Sequence, residues 1–274
     1  MPSTLLSESR VLAQGQTAEV YAWGEGRILK LFRAHFPQFL ADYEALCSEA
    51  LSKTDLPVAR LIERAEIDGR FGLVFERVEG LSGLEQMARE PLKALGLLRN
   101  MAEVQRRINR CEAPAGIHAL HSILEHHISR REELSPDEKA KILAYLDKLP
   151  RGNTLCHADL HPGQMILSPK GPIVIDWANA ARGTPAADIA RSWMLLRLGP
   201  PIDNPWLGTL TRSALAVFAE VFLRRRLRQE NMRRADVKAW LLPLMAARLD
   251  EPIPGEAPRL LRGIRQELSR SGKS

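Results

Sequence analysis

Five polar residues between positions 157 and 176 have the types and spacing needed to bind a cation and to orient a hydroxyl group. His157, Asp159, His161 and Gln164 precede a short apolar stretch, and Asp176 directly follows a second one. Two carboxylates at the same end of a short hairpin can converge, one holding a divalent cation while the other orients a hydroxyl. Taken singly, an aspartate at either position is as typical of a turn or a helix cap as of a binding site.

The elements that would position these residues form a hairpin among helices. Residues 165–167 and 173–175 are apolar, and the turn 168–171 contains Pro and Gly. This pattern predicts two short strands, with Asp176 at the open end of the second.

A second group of possible ligands lies upstream. His118, His121 and Glu125 have the spacing of one helix face, with His126 and His127 adjacent. A metal face and a polar helix face are both compatible with this spacing, and the missing fourth ligand favours the polar face.

The first part of the chain reads as β-rich. The pattern predicts strands at 11–14, 19–23, 27–32 and 71–78, a hairpin turn at 23–26 and a helix over 36–52. The predicted order is therefore strand, strand, strand, helix, strand. The change to helical periodicity after residue 78 predicts an N-terminal domain over 1–78 and a C-terminal domain over 79–274.

Helical periodicity dominates the second part, at 84–88, 91–108 and 119–133. The run Ser135-Pro136-Asp137-Glu138 has a capping residue, Pro and Glu at the spacing that starts a helix. From Gly183 onward the chain reads as helix, with breaks at 198–201 and 251–258. The expected fold class is therefore α+β.

Composition excludes several classes of protein. The chain has 274 residues, of which 45% are hydrophobic and 26% charged, so it can bury a core. Its three cysteines, Cys47, Cys111 and Cys156, form no disulfide framework or zinc pattern, which predicts a reduced, cytoplasmic protein. We see no targeting or membrane-spanning segment in the sequence.

Positive charge is concentrated in the last third of the chain. Residues 181–274 hold 17 Lys and Arg against 9 Asp and Glu, although the net charge of the whole chain is only +6. The run 223–228 contains four arginines but no interleaved aromatic residues, so we expect a solvated helix face and neither a nucleic-acid nor a membrane partner.

Three ordered blocks resemble the aminoglycoside phosphotransferase and choline kinase-like family of small-molecule kinases. They are His157-Ala-Asp-Leu-His-Pro-Gly-Gln-Met-Ile-Leu167, Ile173-Val-Ile-Asp-Trp177 and Gly183-Thr-Pro-Ala-Ala-Asp188-Ile-Ala-Arg191. Upstream, residues 15–21 resemble the family's phosphate-covering loop, 28–32 its lysine-bearing strand, and 56–58 with 72–77 the run into its hinge. The resemblance covers about residues 11–195 and implies a two-lobed, protein-kinase-like fold.

The resemblance implies roles for the N-terminal residues. Gly15 belongs to the phosphate-covering loop, and Lys30 binds nucleotide phosphates with Glu44 as its partner, while Glu49 is a second possible partner. Taken alone, Lys30 is more typical of a surface lysine, but beside the other blocks the phosphate-binding role is favoured. The single glycine of the loop is a weak nucleotide signal by itself, because no Gly-rich phosphate-binding motif occurs in the chain.

The resemblance also implies roles in the second part. Asp159 matches the catalytic aspartate that bonds to the acceptor hydroxyl, Asp176 the aspartate that binds magnesium, and Asp188 the buried aspartate that steadies the catalytic loop. Gln164 stands where the family usually has asparagine as second metal ligand. Ala158 replaces the usual glycine, and we expect its Cβ to limit the backbone to negative φ.

These residues predict an ATP- and Mg-dependent kinase that phosphorylates a hydroxyl of a small molecule. The alternative is a catalytically weakened relative that binds nucleotide, motivated by Gln164 and the single-glycine loop. A protein kinase is disfavoured, because Asp176-Trp-Ala replaces Asp-Phe-Gly and no Ala-Pro-Glu anchor follows. The basic C-terminal part favours a neutral or anionic acceptor over an aminoglycoside.

Overall fold

The structure, a computed structural model, describes residues 10–15, 17–199, 205–251 and 253–271. Two units divide the chain: the described residues of Met1–Lys93, Pro114–Ile117 and Pro162–Ala180 form unit 1, and those of Ala94–Ala113, His118–His161 and Ala181–Ser274 form unit 2. The domain boundary at residue 78 stays a prediction.

Unit 1 contains an antiparallel sheet of five strands in the order β1-β2-β3-β5-β4. Its elements are β1 (Val11–Gln14), β2 (Ala18–Ala22), β3 (Arg27–Phe32), helix α1 (Gln38–Leu51), β4 (Leu61–Ile67) and β5 (Arg70–Glu76). The predicted β2–β3 hairpin and the predicted helix are confirmed.

The predicted order of this region was wrong, because β4 lies between the helix and the last strand. Its sequence Leu-Ile-Glu-Arg-Ala-Glu-Ile is mostly exposed, and a register shift between Leu61 and Glu63 interrupts the pairing with β5. An edge strand with charged side chains and a bulge has no clean apolar alternation, so its sequence gives a weak strand signal.

A second, smaller sheet of unit 1 has the order β6-β8-β9, with β6 (Leu81–Ser82), β8 (Met165–Ser168) and β9 (Gly171–Val174). The β8–β9 pair confirms the predicted hairpin. Ser82 and Glu85 form a capping box that starts helix α2 (Gly83–Arg89), and a 3-10 turn at Pro91–Lys93 follows.

Unit 2 is mainly helical. Its helices are α3 (Ala94–Asn109), α4 (Leu120–Ser129), α5 (Pro136–Asp147), α6 (Pro185–Leu198), α7 (Pro205–Glu230), α8 (Arg234–Lys238), α9 (Leu241–Arg248) and α10 (Ala257–Ser271). The start of α5 is confirmed, with Ser135 and Glu138 forming the capping box. Helix α4 ends four residues before the expected position 133.

Two short strands of unit 2 were not predicted. Strand β7 (Thr154–Cys156) pairs antiparallel with β10 (Ala181–Gly183). Three residues are too few to show a period, so only the pairing partner reveals them. These strands matter because β7 leads directly to His157 and β10 leads directly to α6.

The two expected breaks in the helical region differ in their detail. Helix α6 ends at Gly199, which has φ 63°, a left-handed conformation that favours glycine; Pro200 and Pro201 lie outside the described residues. The second break separates α9 from α10, and Pro252 within it also lies outside the described residues.

The arginine run of α7 is not uniformly solvated, which corrects the expectation of a purely solvated face. Arg224, Arg225 and Arg228 are exposed, but Arg226 is fully buried. Its Nε donates to Gln105 Oε1 over 3.1 Å, so this guanidinium belongs to the core of unit 2. No helix in the described ranges is both long and apolar enough to cross a lipid bilayer.

Candidate active site

Lys30 lies on the face of the sheet that α1 covers, and the alternation of β3 explains why. Leu29 and Leu31 are fully buried on the opposite face. Because successive side chains of a strand point to opposite faces, Lys30 shares its face with Phe32, which packs against Ala45 of α1. The apolar strand thus forces its one lysine toward the helix.

Two carboxylates bind the Lys30 ammonium. Its Nζ lies 2.6 Å from Glu44 Oε1 and 3.0 Å from Asp176 Oδ1. The expected pairing of Lys30 with Glu44 is therefore confirmed, whereas Glu49 instead accepts from Arg64 Nε over 2.8 Å. The Lys30 side chain is only 14% exposed, so it is not a surface lysine.

The carboxylates of Glu44 and Asp176 keep the Lys30 ammonium protonated. Burial lowers the pKa of Lys30, but the Asp176 and Glu44 carboxylates together raise it above its usual value. Burial raises the pKa of Glu44, and the Lys30 ammonium opposes that effect. Lys30 is therefore a charged ammonium whose position is fixed by two acids.

Asp176 and Gln164 lie side by side because the hairpin joins their backbones. The N–H of Ile175 donates to the carbonyl oxygen of Gln164 over 3.0 Å. Gln164 Nε2 is then 3.4 Å from Asp176 Oδ2. Asp176 itself has φ 62°, a left-handed conformation that is uncommon outside glycine. No local pattern revealed that Asp176 would also reach Lys30, which lies 146 residues away in sequence.

Other parts of unit 1 hold the segment that carries Asp176. The N–H of Val174 donates to Pro57 O over 2.7 Å, and the N–H of Ala59 donates to Val174 O over 3.3 Å. On the far side of Asp176, the hydroxyl of Tyr43 on α1 donates to Ala180 O over 2.7 Å. The carboxylate is therefore mounted on a segment that is tied at both ends.

The donor set of Asp176 and Gln164 fits a magnesium ion. Mg²⁺ binds oxygen and usually takes one or two carboxylates, with waters and substrate phosphates as its other ligands. The Asp176 side chain is 40% exposed, and turning the Gln164 amide over exchanges its Nε2 for Oε1. Across the described ranges, no group of three or more His, Cys, Asp or Glu side chains is arranged to hold a metal ion.

Gly15 lies between β1 and β2, where the resemblance expects a phosphate-covering loop. Its N–H donates to Ala18 O over 2.9 Å, and its carbonyl accepts from Arg33 Nη2 over 2.9 Å. Gln16 lies outside the described residues. Both backbone groups of Gly15 are thus engaged in shaping the turn.

The loop that carries Asp159 belongs to unit 2 and follows β7. His157 is fully buried, and its Nδ1 accepts from the N–H of Asp159 over 3.3 Å. This contact gives His157 a structural place in the loop. The Asp159 side chain is 15% exposed.

Ala158 corrects an expectation from the sequence. Its φ is 58°, in the left-handed region, although its Cβ predicted a negative φ. The reason is that both of its backbone groups are held: its N–H donates to Asp188 Oδ1 over 2.8 Å, and its carbonyl accepts from Arg191 Nε over 3.0 Å. Such strained conformations persist where the surroundings over-determine them.

Helix α6 supplies both of these partners. Thr184 caps its first turn and Pro185 occupies its first position, which places Asp188 and Arg191 three residues apart on one face. Asp188 is 1% exposed and also accepts from Asn109 Nδ2 over 2.8 Å. Asp188 therefore holds the backbone of the loop that carries Asp159, as expected, while the catalytic role of that loop stays a prediction.

Sequence reasoning missed the direct partner of Asp159. Arg191 Nη2 lies 2.8 Å from Asp159 Oδ1 and 2.6 Å from Glu251 Oε1. The helical spacing of Asp188 and Arg191 was a usable signal for the first contact. No local pattern links Arg191 to Glu251, which lies 60 residues away.

His161 lies close to the charged side chains of Asp159 and Arg191. Burial lowers the pKa of His161 below 6.5, and His157, Arg191 and Arg248 lower it further. The Asp159 carboxylate raises the pKa but does not cancel these effects. The imidazole is thus held neutral near pH 7.

The upstream histidines do not share one helix face. His118 precedes α4, and His121 is buried, with Nε2 3.2 Å from Leu149 O and its ring edge against Trp240. His121 is therefore a core histidine.

A family model described as the phosphotransferase enzyme family matches residues 8–230 of the chain. The chain belongs to that family. A search of curated proteins gave no match.

Solved structures with the same fold are aminoglycoside and related small-molecule kinases. A thermostable mutant of aminoglycoside phosphotransferase APH(4)-Ia is 17% identical with TM-score 0.66, over 99% of each chain. The amicoumacin kinase hAmiN, in complex with AMP-PNP, Ca²⁺ and Ami, is 18% identical with TM-score 0.58, over 97% of this chain and 89% of that one. The α+β fold class, with a β-sheet N-terminal and a helical C-terminal part, is confirmed.

Proposed function

We propose that this protein transfers the terminal phosphoryl group of ATP, with magnesium, to a hydroxyl group of a small molecule. The observation that carries the proposal is the Lys30 ammonium, bound by Glu44 and by an Asp176 that is also paired with Gln164. Phosphoryl transfer asks a protein mainly for positioning and for positive charge around the phosphates.

The unit 1 residues have separate tasks in this proposal. Two of the three N–H donors of the Lys30 ammonium serve Glu44 and Asp176, and the third would donate to a phosphate oxygen. Asp176 and Gln164 would hold the magnesium ion, and the turn at Gly15 would cover the phosphates. When bound, the ion supplies positive charge that offsets the charge developing on the phosphates.

Asp159 would act on the acceptor. Its carboxylate accepts a hydrogen bond from the acceptor hydroxyl and so aims the oxygen lone pair at the phosphorus. The hydroxyl proton passes to the carboxylate as the new O–P bond forms, while the bond between the terminal phosphorus and the bridging oxygen of ATP breaks and ADP leaves with that electron pair. Asp188 and Arg191 keep the loop that carries Asp159 in place through the backbone of Ala158.

The acceptor we propose is a neutral or anionic alcohol. An aminoglycoside carries several positive charges and requires carboxylates that are not already neutralised. Glu251, the acid that shares Arg191 with Asp159, is also bound by Arg248, and Arg248 in turn binds Glu256 over 2.9 Å. Both of these glutamates thus already have arginine partners. A reduced, cytoplasmic setting also fits the buried thiols of Cys47 and Cys156.

The second candidate function is a nucleotide-binding relative with weakened transfer. Gln164 supports it, because this longer amide stands where the family usually has asparagine and its Nε2 faces Asp176. Such a protein would bind ATP without phosphorylating any acceptor.

Asp159 distinguishes the two functions. ATP consumption should be measured with magnesium across a panel of amino alcohols, sugars and aminoglycosides. For the kinase, Asp159→Asn should lower acceptor-dependent turnover by roughly a hundredfold or more, while ATP affinity stays within a few fold. Asp147→Asn, an exposed aspartate paired with Arg151, is the matched control. Tight ATP binding without acceptor-dependent turnover in the unaltered protein would support the binding relative instead.

A further inference from the structure

Arg191 contacts both the carboxylate of Asp159 and the backbone of the same loop. Its side chain is 8% exposed, and its guanidinium donates to three oxygen atoms. Nη2 donates to Asp159 Oδ1 over 2.8 Å and to Glu251 Oε1 over 2.6 Å, and Nε donates to Ala158 O over 3.0 Å. One rigid, planar group therefore fixes both the backbone and the carboxylate of the loop.

Glu251 accepts from the same guanidinium nitrogen, Nη2, that donates to Asp159, and it lies in the segment between α9 and α10. Arg248, at the end of α9, binds Glu251 and also donates from Nε to Glu256 Oε2 over 2.9 Å. Next to Glu251, Asp250 is bound by His127 of α4 and by Arg131, which follows that helix. The segment is thus tied to two helices by charged contacts.

We propose that Arg191, held by Glu251, is a positioning residue that sets the direction of the Asp159 carboxylate toward the acceptor hydroxyl. This inference rests on the proposed kinase function. A carboxylate that must meet a hydroxyl in the correct geometry loses rate steeply when it shifts by about 1 Å. A guanidinium that is also held by Glu251 and by the carbonyl of Ala158 restricts rotation of that carboxylate. The segment after α9 is then part of the catalytic apparatus, although it lies beyond residues 8–230, which the family model matches.

Kinetics of three variants test the positioning role. Arg191→Lys keeps the charge but cannot bond to Ala158 O and both carboxylates in the same fork geometry. We expect its kcat to fall by roughly 10- to 100-fold while the KM for ATP changes by less than about twofold. Glu251→Ala should lower kcat in the same way, and Glu251→Gln, which retains an oxygen acceptor, should recover most of the loss.

Arg234→Lys is the matched control. Arg234 also belongs to unit 2 and forms a two-pronged contact with a carboxylate, Glu220, but it does not touch Asp159. Its replacement should leave kcat unchanged. Thermal unfolding of each variant reports whether the unit is still folded, and a purely structural role would lower the melting temperature and the ATP affinity together with kcat.

Hydrogen exchange gives a readout that requires no acceptor. The Arg191 Nε–H signal in a ¹H–¹⁵N spectrum should exchange slowly in the unaltered protein, and at least roughly tenfold faster in Glu251→Ala. Unchanged exchange would overturn the link from Glu251 to Arg191. If the unaltered protein transfers phosphate and folded Arg191→Lys transfers equally fast, the positioning role fails alone. If the unaltered protein phosphorylates no acceptor of the panel, the proposed function fails, and the positioning role fails with it.

Discussion

Lys30 Nζ lies 2.6 Å from Glu44 Oε1, which joins the middle of the unit 1 sheet to its helix by a buried ion pair. The Glu44 side chain is 3% exposed, so its charge has little access to water. Removing one partner of such a pair leaves an uncompensated buried charge, at a cost of about 3–5 kcal/mol. The pair therefore contributes both to the fold of unit 1 and to the direction of the ammonium.

Lys30→Ala tests whether this ammonium binds nucleotide. We expect ATP affinity or turnover to fall at least tenfold, about 1.4 kcal/mol, because the cation facing the phosphates is lost. ATP titration and kcat/KM for ATP measure the effect. Glu49→Gln, on the same helix but paired with Arg64, is the control and should leave both values unchanged.

Loss of folding has to be separated from loss of binding in that experiment. Circular dichroism shows whether Lys30→Ala retains its structure. If it does not, Lys30→Met combined with Glu44→Gln removes the charges of both ion-pair partners and should fold. Unchanged kinetics in either folded variant would contradict the phosphate-binding role of Lys30.

Asp176→Asn tests the metal site. The substitution keeps the shape of the side chain and removes its charge, so it weakens binding of a divalent cation. Magnesium-dependent transfer should collapse, while nucleotide still binds through Lys30. Titration of magnesium at fixed ATP measures this, and a variant that reaches the normal rate at higher magnesium would show weakened affinity alone. A variant with an unchanged magnesium dependence would remove Asp176 from the metal site.

Gln164→Asn asks whether the longer amide limits the rate. The family usually has asparagine here, and the shorter side chain moves the amide oxygen back by one methylene. We expect a rate equal to or above that of the unaltered protein, measured as kcat at saturating magnesium. A much slower variant would mean that the loop is adapted to glutamine, whose Nε2 lies 3.4 Å from Asp176 Oδ2.

The sequence predicted the local elements of the site better than the contacts between distant segments. The strand of Lys30 and the hairpin before Asp176 follow from apolar alternation and turn residues, so their patterns are visible within a few residues. The contact of Arg191 with Glu251 joins residues 60 positions apart, and only the packing of helices brings them together. The left-handed φ of Ala158 likewise depends on Asp188 and Arg191, not on its own side chain.

Ala158→Val should reveal that left-handed conformation. With φ 58°, a β-branched residue is strained far more than alanine, so we expect a loss of more than about 1 kcal/mol in the free energy of unfolding. Ala158→Gly should differ from alanine by less than about 0.5 kcal/mol, because relief of strain and the greater freedom of the unfolded chain offset each other. Denaturant unfolding measures both variants. A Val variant as stable as the Ala protein would contradict the conformation.

His161 should make the stability of the protein depend on pH. Burial lowers its pKa below 6.5, and the nearby His157, Arg191 and Arg248 lower it further. The Asp159 carboxylate acts in the opposite direction but does not cancel the decrease. At a pH below 6.5 the unfolded chain therefore binds a proton that the folded protein binds less readily, and unfolding is favoured. The contribution is fully present above pH 6.5 and is lost as the pH falls toward the lower pKa of the folded state.

The pH dependence is measured as the difference in free energy of unfolding between the unaltered protein and His161→Gln, which has no titrating ring. Any difference in packing between the two side chains is the same at every pH, so only the change with pH reports the proton. We expect the unaltered protein to lose stability relative to His161→Gln as the pH is lowered from about 8 to about 5. A constant difference across that range, or one that shifts in favour of the unaltered protein at low pH, would contradict a neutral His161 beside Arg191.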